Sequence, residues 1–221
     1  MKKYFLFASA ALLVSVASYS EKSSVNLNPD AAMKELKDGN TRFIANQSGH
    51  CATDTAVRPQ LVTSQAPNAI VLSCSDSRVP PETVFDQGLG QLFTVRVAGN
   101  ILTAETLGSI EYAISHLGSK LIVVMGHESC GAIKAALNTP TGGDAGSPSI
   151  NILIHEIQNN LGTQSKISEK TLREPVQKNV SAVAESLVKR SKIVRDAVNS
   201  GKVKIAKAIY SLSTGKVDFW K

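Results

Sequence analysis

Residues 69–78 read AIVLSCSDSR, an apolar run followed at once by a cysteine and then by an acid and a base. Residues 69–73 have the length and continuous hydrophobicity of a strand buried on both faces. Two more such runs follow, LFTVRV at residues 92–97 and LIVVM at residues 121–125. Between them, residues 103–117 carry apolar side chains at helical spacing, and Gly118 is typical of a helix end. Strands alternating with helices predict an α/β fold with a central, mostly parallel β-sheet flanked by helices.

Three potential metal ligands follow two of the predicted strands. Cys74 comes directly after the first strand, and His127 and Cys130 come just after the strand at residues 121–125. Because ligands of such sheets bind at the carboxyl ends of the strands, we expect these side chains to meet. Two thiolates and an imidazole suit Zn²⁺, and three protein ligands leave the open position of a catalytic site. Each residue taken singly is better explained as an ordinary buried one, but the combination favours a metal centre.

The residues beside these ligands carry further chemistry. Cys130 precedes a helix-like stretch, residues 131–136, so its thiolate would lie at a helix N-terminus, which favours an anion. Asp76 and Arg78 are two residues apart and can pair on one side of an extended or turn segment. Beside a metal, the arginine would orient the carboxylate as the acceptor for a zinc-bound hydroxide. Alternatively, Asp76 could itself become the fourth ligand, displacing the water and switching the site off.

The beginning of the chain predicts export. Residues 1–20 read as a secretory signal peptide, with two lysines, an apolar stretch and small residues at the end. The apolar stretch is shorter than the roughly 20 residues that span a bilayer, and no later segment is long enough. We therefore predict a periplasmic or secreted protein with no membrane span after signal cleavage. A polar linker at residues 21–29 would precede a single catalytic domain, residues 30–221, that starts with an amphipathic helical arm.

Charge and cysteine content exclude other classes of protein. The chain of 221 residues has a formal net charge of +6, spread along helical stretches and not clustered with aromatic residues, so we expect no nucleic-acid partner. Three cysteines, an odd number, argue against a disulfide framework in an exported protein. With two assigned to a metal, Cys51 is predicted to be a free thiol, with a ligand role as the weaker alternative.

Three segments closely resemble the β-class carbonic anhydrases: CSDSRVPPE at residues 74–82, FTVRVAGN at residues 93–100 and GHESCGA at residues 126–132. The resemblance extends from Asp30 to Phe219 and so covers nearly the whole mature chain. It implies that Asp76 and Arg78 form a catalytic pair. It also implies that one Zn²⁺ per chain is bound by Cys74, His127 and Cys130. It also implies a homodimer or homotetramer.

The resemblance assigns a substrate site as well. Gln65 matches a substrate-binding glutamine, and Phe93, Ala98 and Tyr112 match residues that line a narrow, mostly apolar CO₂ pocket. On residue pattern alone, Gln65 would be an exposed loop residue, Phe93 a core residue on a strand and Tyr112 a helix residue facing the core. The implied reaction is the reversible hydration of CO₂ to bicarbonate and a proton, by attack of a zinc-bound hydroxide that Asp76 orients.

Two other functions remain as alternatives. A hydrolase acting on carbon disulfide or carbonyl sulfide would use the same fold and ligands. A non-enzymatic zinc-binding protein would need no oriented pair of Asp76 and Arg78.

In an allosteric subtype of the family, bicarbonate binds a second pocket built around a tryptophan, an arginine and a tyrosine. Here Arg96 and Tyr210 match two of these, but Val71 replaces the tryptophan, so we expect no bicarbonate inhibition by that route and water as the fourth zinc ligand at neutral pH.

Overall fold

The computed structural model describes residues 27–49, 57–162 and 172–220. The predicted signal peptide, most of the linker and Cys51 therefore lie outside the described residues. The strands within them are β1 (Ala69–Ser73), β2 (Leu92–Arg96), β3 (Leu121–His127), β4 (Lys204–Tyr210) and β5 (Val217–Trp220). They form one sheet in the order β2-β1-β3-β4-β5, in which only β5 is antiparallel to its neighbour. This confirms the predicted α/β class with a mostly parallel sheet.

Eight α-helices accompany this sheet in the described part of the chain. They are α1 (Pro29–Ile44), α2 (Val57–Gln60), α3 (Pro81–Val84), α4 (Ala104–Ser115), α5 (Gly131–Asn138), α6 (Pro148–Leu161), α7 (Arg173–Arg190) and α8 (Lys192–Asn199). None of the described helices combines the length and the apolar character needed to cross a bilayer.

Both faces of the sheet are covered, which explains the unbroken hydrophobicity of β1 and β3. Alternate strand residues such as Leu72 and Val124 enter a core that includes side chains of α4, α6 and α7. The intervening residues, such as Val71, enter a second core with Leu36 of α1 and with Phe85, which follows α3. Because neither face meets water, every residue of β1 and β3 is buried.

Several element boundaries differ from the sequence-based ones. Residues 173–199 have a nearly continuous helical pattern but form two helices, because the Ser191 side chain accepts a hydrogen bond from Val194 N at 3.1 Å and starts α8. The first helix starts at Pro29 because the Asn28 side chain accepts from Ala31 N at 2.9 Å. A short helix, α2, lies between the first helix and β1.

Candidate metal centre and active site

The carboxyl ends of β1 and β3 bring the three predicted ligands together. These strands are parallel neighbours, and Cys74 follows the last residue of β1. His127 is the last residue of β3, and Cys130 is the N-cap of α5. The ligand atoms of the three side chains lie within 4.8 Å of one another, and all three residues are buried. A single ion can therefore contact two sulfurs and one imidazole nitrogen.

The His127 ring is oriented to offer one nitrogen to a cation. Its Nδ1 lies 2.9 Å from the main-chain oxygen of Glu128, which can only accept, so Nδ1 carries the proton. The other nitrogen, Nε2, is buried and has no hydrogen-bond partner among the described residues. A buried acceptor without a donor costs about 1–3 kcal/mol. A metal ion would use this lone pair. A histidine that binds a metal through one nitrogen usually donates a hydrogen bond from the other, as Nδ1 does here.

The two cysteines are electrostatically coupled. Because the Cys130 side chain stabilises a thiolate at Cys74, the pKa of Cys74 is lowered. The same interaction, together with burial, raises the pKa of Cys130. Two adjacent buried thiolates repel each other, so the pair alone retains a shared proton. A divalent cation offsets that repulsion and binds both sulfurs as thiolates, which fits this donor set to Zn²⁺.

Asp76 and Arg78 form the expected pair beside these ligands. Arg78 Nη2 lies 2.7 Å from Asp76 Oδ2, and Arg78 Nε lies 2.9 Å from Oδ1, so the guanidinium contacts both oxygens. The main-chain N–H of Arg78 also donates to Oδ1 at 3.0 Å. These hydrogen bonds, the side-chain ones foremost, hold the pKa of Asp76 well below its usual range. Asp76 Oδ2 is also 3.8 Å from His127 Nε2, so an oriented carboxylate borders the metal centre.

Arg96 has a role that sequence reasoning missed. Its Nε donates to the main-chain oxygen of Cys74 at 3.1 Å, and its Nη2 donates to that of Asp76 at 2.7 Å. The Arg96 side chain thus stabilises the conformation of the loop that carries the ligand Cys74 and the acid Asp76. The resemblance had suggested only a match to an allosteric pocket, because a long-range bond from a side chain to main-chain atoms leaves no signal in residue type or spacing.

Glu128 anchors the second ligand loop, which sequence reasoning also missed. Its Oε2 accepts from Ser211 Oγ at 2.8 Å, and its Oε1 lies 3.3 Å from Arg173 Nη1. Arg173 also contacts Asp218 of β5 at 2.8 Å. This network ties the turn between His127 and Cys130 to α7 and to the end of the sheet. The position of Glu128 between two ligands is visible in the sequence. Its partners Arg173 and Ser211 are not predictable, because they lie 45 and 83 residues further along the chain.

The predicted substrate residues occupy different surroundings. Gln65 is exposed in the loop before β1, as its residue pattern suggested. Phe93 lies on the edge strand β2 and packs against the larger core. Ala98 begins a short 3₁₀ turn, residues 98–100, whose Gly99 N–H reaches the Cys74 sulfur. The expectation that Tyr112 faces the core is wrong: its side chain is 50% exposed on α4 and its ring lies 4.8 Å from that of His116.

Comparison with known proteins agrees with this geometry. Residues 69–217 match the family model described as carbonic anhydrase. A carbonic anhydrase of Mycolicibacterium smegmatis is 38% identical over 193 residues, which cover 87% of this chain and 94% of that protein. Carbonic anhydrase 2 of Mycobacterium tuberculosis is 37% identical, with 86% and 92% covered. Among solved structures, a Coccomyxa β-carbonic anhydrase in complex with acetazolamide has a TM-score of 0.65 at 26% identity, covering 84% of this chain and 85% of that one.

Proposed function

This chain belongs to the carbonic anhydrase family, in its β class, and from that premise we propose that Asp76 and Arg78 direct its reaction. The reaction is the reversible hydration of CO₂ to bicarbonate and a proton, with zinc as the cofactor. One observation carries the proposal: Nε2 of His127 has no hydrogen-bond partner in the described part of the chain, faces two cysteine sulfurs and lies 3.8 Å from a carboxylate that an arginine orients.

Three side chains would hold the metal, namely Cys74, His127 and Cys130. Zinc, when bound there, would supply a Lewis acid that acidifies water. The remaining parts of the mechanism belong to side chains of this protein and follow from their contacts.

Asp76 is the acceptor that orients the attacking oxygen. Because Arg78 contacts both carboxylate oxygens, the carboxylate cannot rotate freely, and an acceptor of fixed direction aims the nucleophile at the CO₂ carbon. The lowered pKa of Asp76 means that this group stays ionised and does not store the proton of the reaction. That proton consequently passes to solvent or buffer. Arg96 keeps the loop in place by binding the main-chain oxygens of Cys74 and Asp76.

We propose Gln65, Phe93, Ala98 and Tyr112 as the substrate site. Ala98 supports this assignment best, because the next peptide group donates to the Cys74 sulfur and so places Ala98 beside the metal centre. The Gln65 amide would donate a hydrogen bond to a substrate oxygen, while the other three offer the apolar surface that suits CO₂. Tyr112 is half-exposed, which is compatible with a pocket completed by a second copy of the chain.

Assembly as a homodimer or homotetramer is a further part of the proposal. The edge strand β2 is only partly buried, and a cavity of about 310 Å³ opens beside it between Phe93, Arg96 and Glu105. Two β-carbonic anhydrases of Sordaria macrospora with this fold are described as tetrameric. Light scattering of the purified protein and of Tyr112→Ser measures the assembly. We expect a multiple of the chain mass, which Tyr112→Ser reduces, whereas a monomeric wild type would contradict the proposal.

We also propose that the protein acts after export, since residues 1–20 have the pattern of a signal peptide. Cell fractionation with N-terminal sequencing tests this proposal. We expect a mature chain that starts near residue 20 outside the cytoplasmic membrane, and an uncleaved cytoplasmic chain would overturn it.

A substrate panel tests the function itself. The zinc-loaded protein is assayed by stopped flow for CO₂ hydration and, under the same conditions, for hydrolysis of carbonyl sulfide and carbon disulfide. We expect CO₂ hydration to be by far the fastest reaction. Faster hydrolysis of a sulfur substrate would favour the related hydrolase, and tight zinc binding without any turnover would favour a binding role.

A further inference from the structure

We propose that Asn179 is a positioning residue for the metal centre, because it binds the carbonyl oxygen of Gly99 and so holds this residue with its N–H pointing at the Cys74 sulfur. The inference rests on the proposed function only in taking Cys74 as a metal ligand. It assigns a role to a buried side chain of α7, which contributes no ligand and no substrate contact.

A continuous series of hydrogen bonds supports this role. Asn179 is fully buried, and its Nδ2 donates to the main-chain oxygen of Gly99 at 2.9 Å. The N–H of Gly99 donates in turn to Cys74 Sγ at 3.4 Å. Behind Asn179, the Nδ2 of Asn160 donates to the Asn179 Oδ1 at 2.9 Å. The carbonyl oxygen and the N–H of Gly99 belong to the two successive peptide groups that meet at its Cα, and they are bound to α7 on one side and to a ligand sulfur on the other.

The direction of the Asn179 amide follows from these partners. Its oxygen is taken by a donor from Asn160, and its nitrogen faces a carbonyl, so the reverse orientation would place two like groups against each other at both ends. An apolar side chain at position 179 would leave the Gly99 oxygen without this donor.

The turn at residues 98–100 needs such support. Gly99 has a φ of 71° and Asn100 a φ of 44°, so two consecutive residues occupy the left-handed region, which only glycine adopts without cost and which asparagine tolerates better than most other residues. A Cβ at Gly99 would lie 2.6 Å from Ile157 Cδ1, so α6 packs directly on the turn. The Asn179 hydrogen bond fixes the peptide group that follows Gly99 within this packing, and with it the backbone conformation of Gly99 that directs its N–H at the sulfur.

The consequence for the metal centre is electronic. A hydrogen bond to a thiolate stabilises charge on the sulfur and reduces the charge that the sulfur donates to a cation. Without the Gly99 N–H, Cys74 would become the more electron-rich ligand. Cobalt(II) in place of zinc reports this directly, because thiolate-to-cobalt charge transfer moves to lower energy as the sulfur becomes more electron-rich.

The test compares the cobalt-loaded full chain with Asn179→Leu, a variant of similar size that has no donor. We expect the charge-transfer band of Asn179→Leu to move to longer wavelength than that of the wild type. Asn160→Ala is a second test in case Asn179→Leu does not fold. It removes only the residue that orients the Asn179 amide, and it should shift the band in the same direction by a smaller amount.

Asn40→Leu is the matched control. Asn40 is another buried amide, bonded to the main-chain oxygens of Val84 and Gly215 and to Val217 N, away from Cys74. It should lower the melting temperature and leave the band in place. An unmoved band in Asn179→Leu and Asn160→Ala, or an equal shift in Asn40→Leu, would overturn the inference. A wild type with no thiolate-to-cobalt band would instead overturn the ligand assignment, and this inference with it.

Discussion

His127 Nε2 and Asp76 Oδ2 lie 3.8 Å apart beside the two cysteine sulfurs. An unprotonated nitrogen, a carboxylate and two sulfurs around one point create a strongly negative local potential that a cation neutralises. Arg78 nevertheless holds the carboxylate from its other side, through both oxygens. This geometry favours Asp76 as an acceptor beside the metal centre over Asp76 as a fourth ligand.

Arg78→Gln should reduce activity through orientation and not through charge. The pKa of Asp76 is lowered chiefly by its hydrogen bonds from the Arg78 side chain, and without them it would return toward the ordinary value of about 3.9. Asp76 would thus remain ionised at pH 7. We expect kcat/KM to fall about 10- to 100-fold with no change in the pH of half-maximal activity. A displaced pH profile would show that the arginine acts mainly through the charge of Asp76.

The same pair predicts how stability depends on pH. Because the folded pKa of Asp76 is below its unfolded value, the pair stabilises the fold above about pH 4, and this contribution is lost as pH falls through the lowered pKa. Urea unfolding of wild type and Arg78→Gln should therefore differ more at pH 7 than at pH 3. A difference that grew on acidification would contradict this sign.

Glu128→Gln should loosen the metal centre without touching a ligand. The variant keeps an acceptor for Ser211 but loses its ion pair with Arg173, so the turn that carries His127 is held less firmly. We expect zinc to transfer to a chelator about tenfold faster. Glu156→Gln breaks an ion pair of the same kind, with Arg190 at 3.4 Å, and should leave the transfer rate unchanged. Equal rates for both variants would mean that Glu128 is a surface acid and no more.

Bicarbonate should not act as a cooperative inhibitor. Arg96, which would take part in a second bicarbonate site, is already bonded to the main-chain oxygens of Cys74 and Asp76. Val71, at the position of the tryptophan in such sites, is fully buried in β1 and offers no polar group. Hydration rates measured against bicarbonate concentration should thus give a Hill coefficient close to one. A coefficient approaching two would establish a second site.

Gly126→Ala should destabilise the fold. A Cβ there would lie 2.5 Å from Val176 Cγ1, so α7 packs directly against β3 at this residue. Overpacking of this kind costs about 1–3 kcal/mol in the free energy of unfolding. Gly108→Ala is the control: it lies in α4 with open space around it, and should stabilise by about 0.4–1 kcal/mol. Chemical denaturation measures both, and a Gly126→Ala protein as stable as wild type would contradict the close packing.

The sequence alone was sufficient for the sheet and for the three-ligand set. Buried parallel strands such as β1 have a distinct hydrophobic signature, and the position of Cys74 and His127 after strand ends follows from the geometry of α/β sheets. Helix breaks were harder, since Ser191 caps α8 inside an otherwise continuous helical pattern. Tyr112 was misjudged on its residue pattern because Ile110 and Ala113 fill the buried side of α4 and leave the tyrosine outside.

The supporting contacts of the metal centre could not be predicted. Asn179 and Gly99 are 80 residues apart, and Glu128 and Ser211 are 83 apart. Each contact depends on how α7 and the last strands pack against the sheet, and a hydrophobic pattern specifies that packing only coarsely. Such residues are identifiable only once side chains and main-chain atoms are placed together.

Asp76→Asn tests the central claim most directly. The zinc-loaded variant and wild type are compared by stopped-flow CO₂ hydration from mildly acidic to mildly alkaline pH, with Asp196→Asn, a surface acid paired with Lys192, as the control. We expect wild-type activity to rise with pH and Asp76→Asn to lose about 100-fold or more at unchanged zinc content, while Asp196→Asn retains full activity. An Asp76→Asn protein that binds zinc and hydrates CO₂ at the wild-type rate would contradict the account.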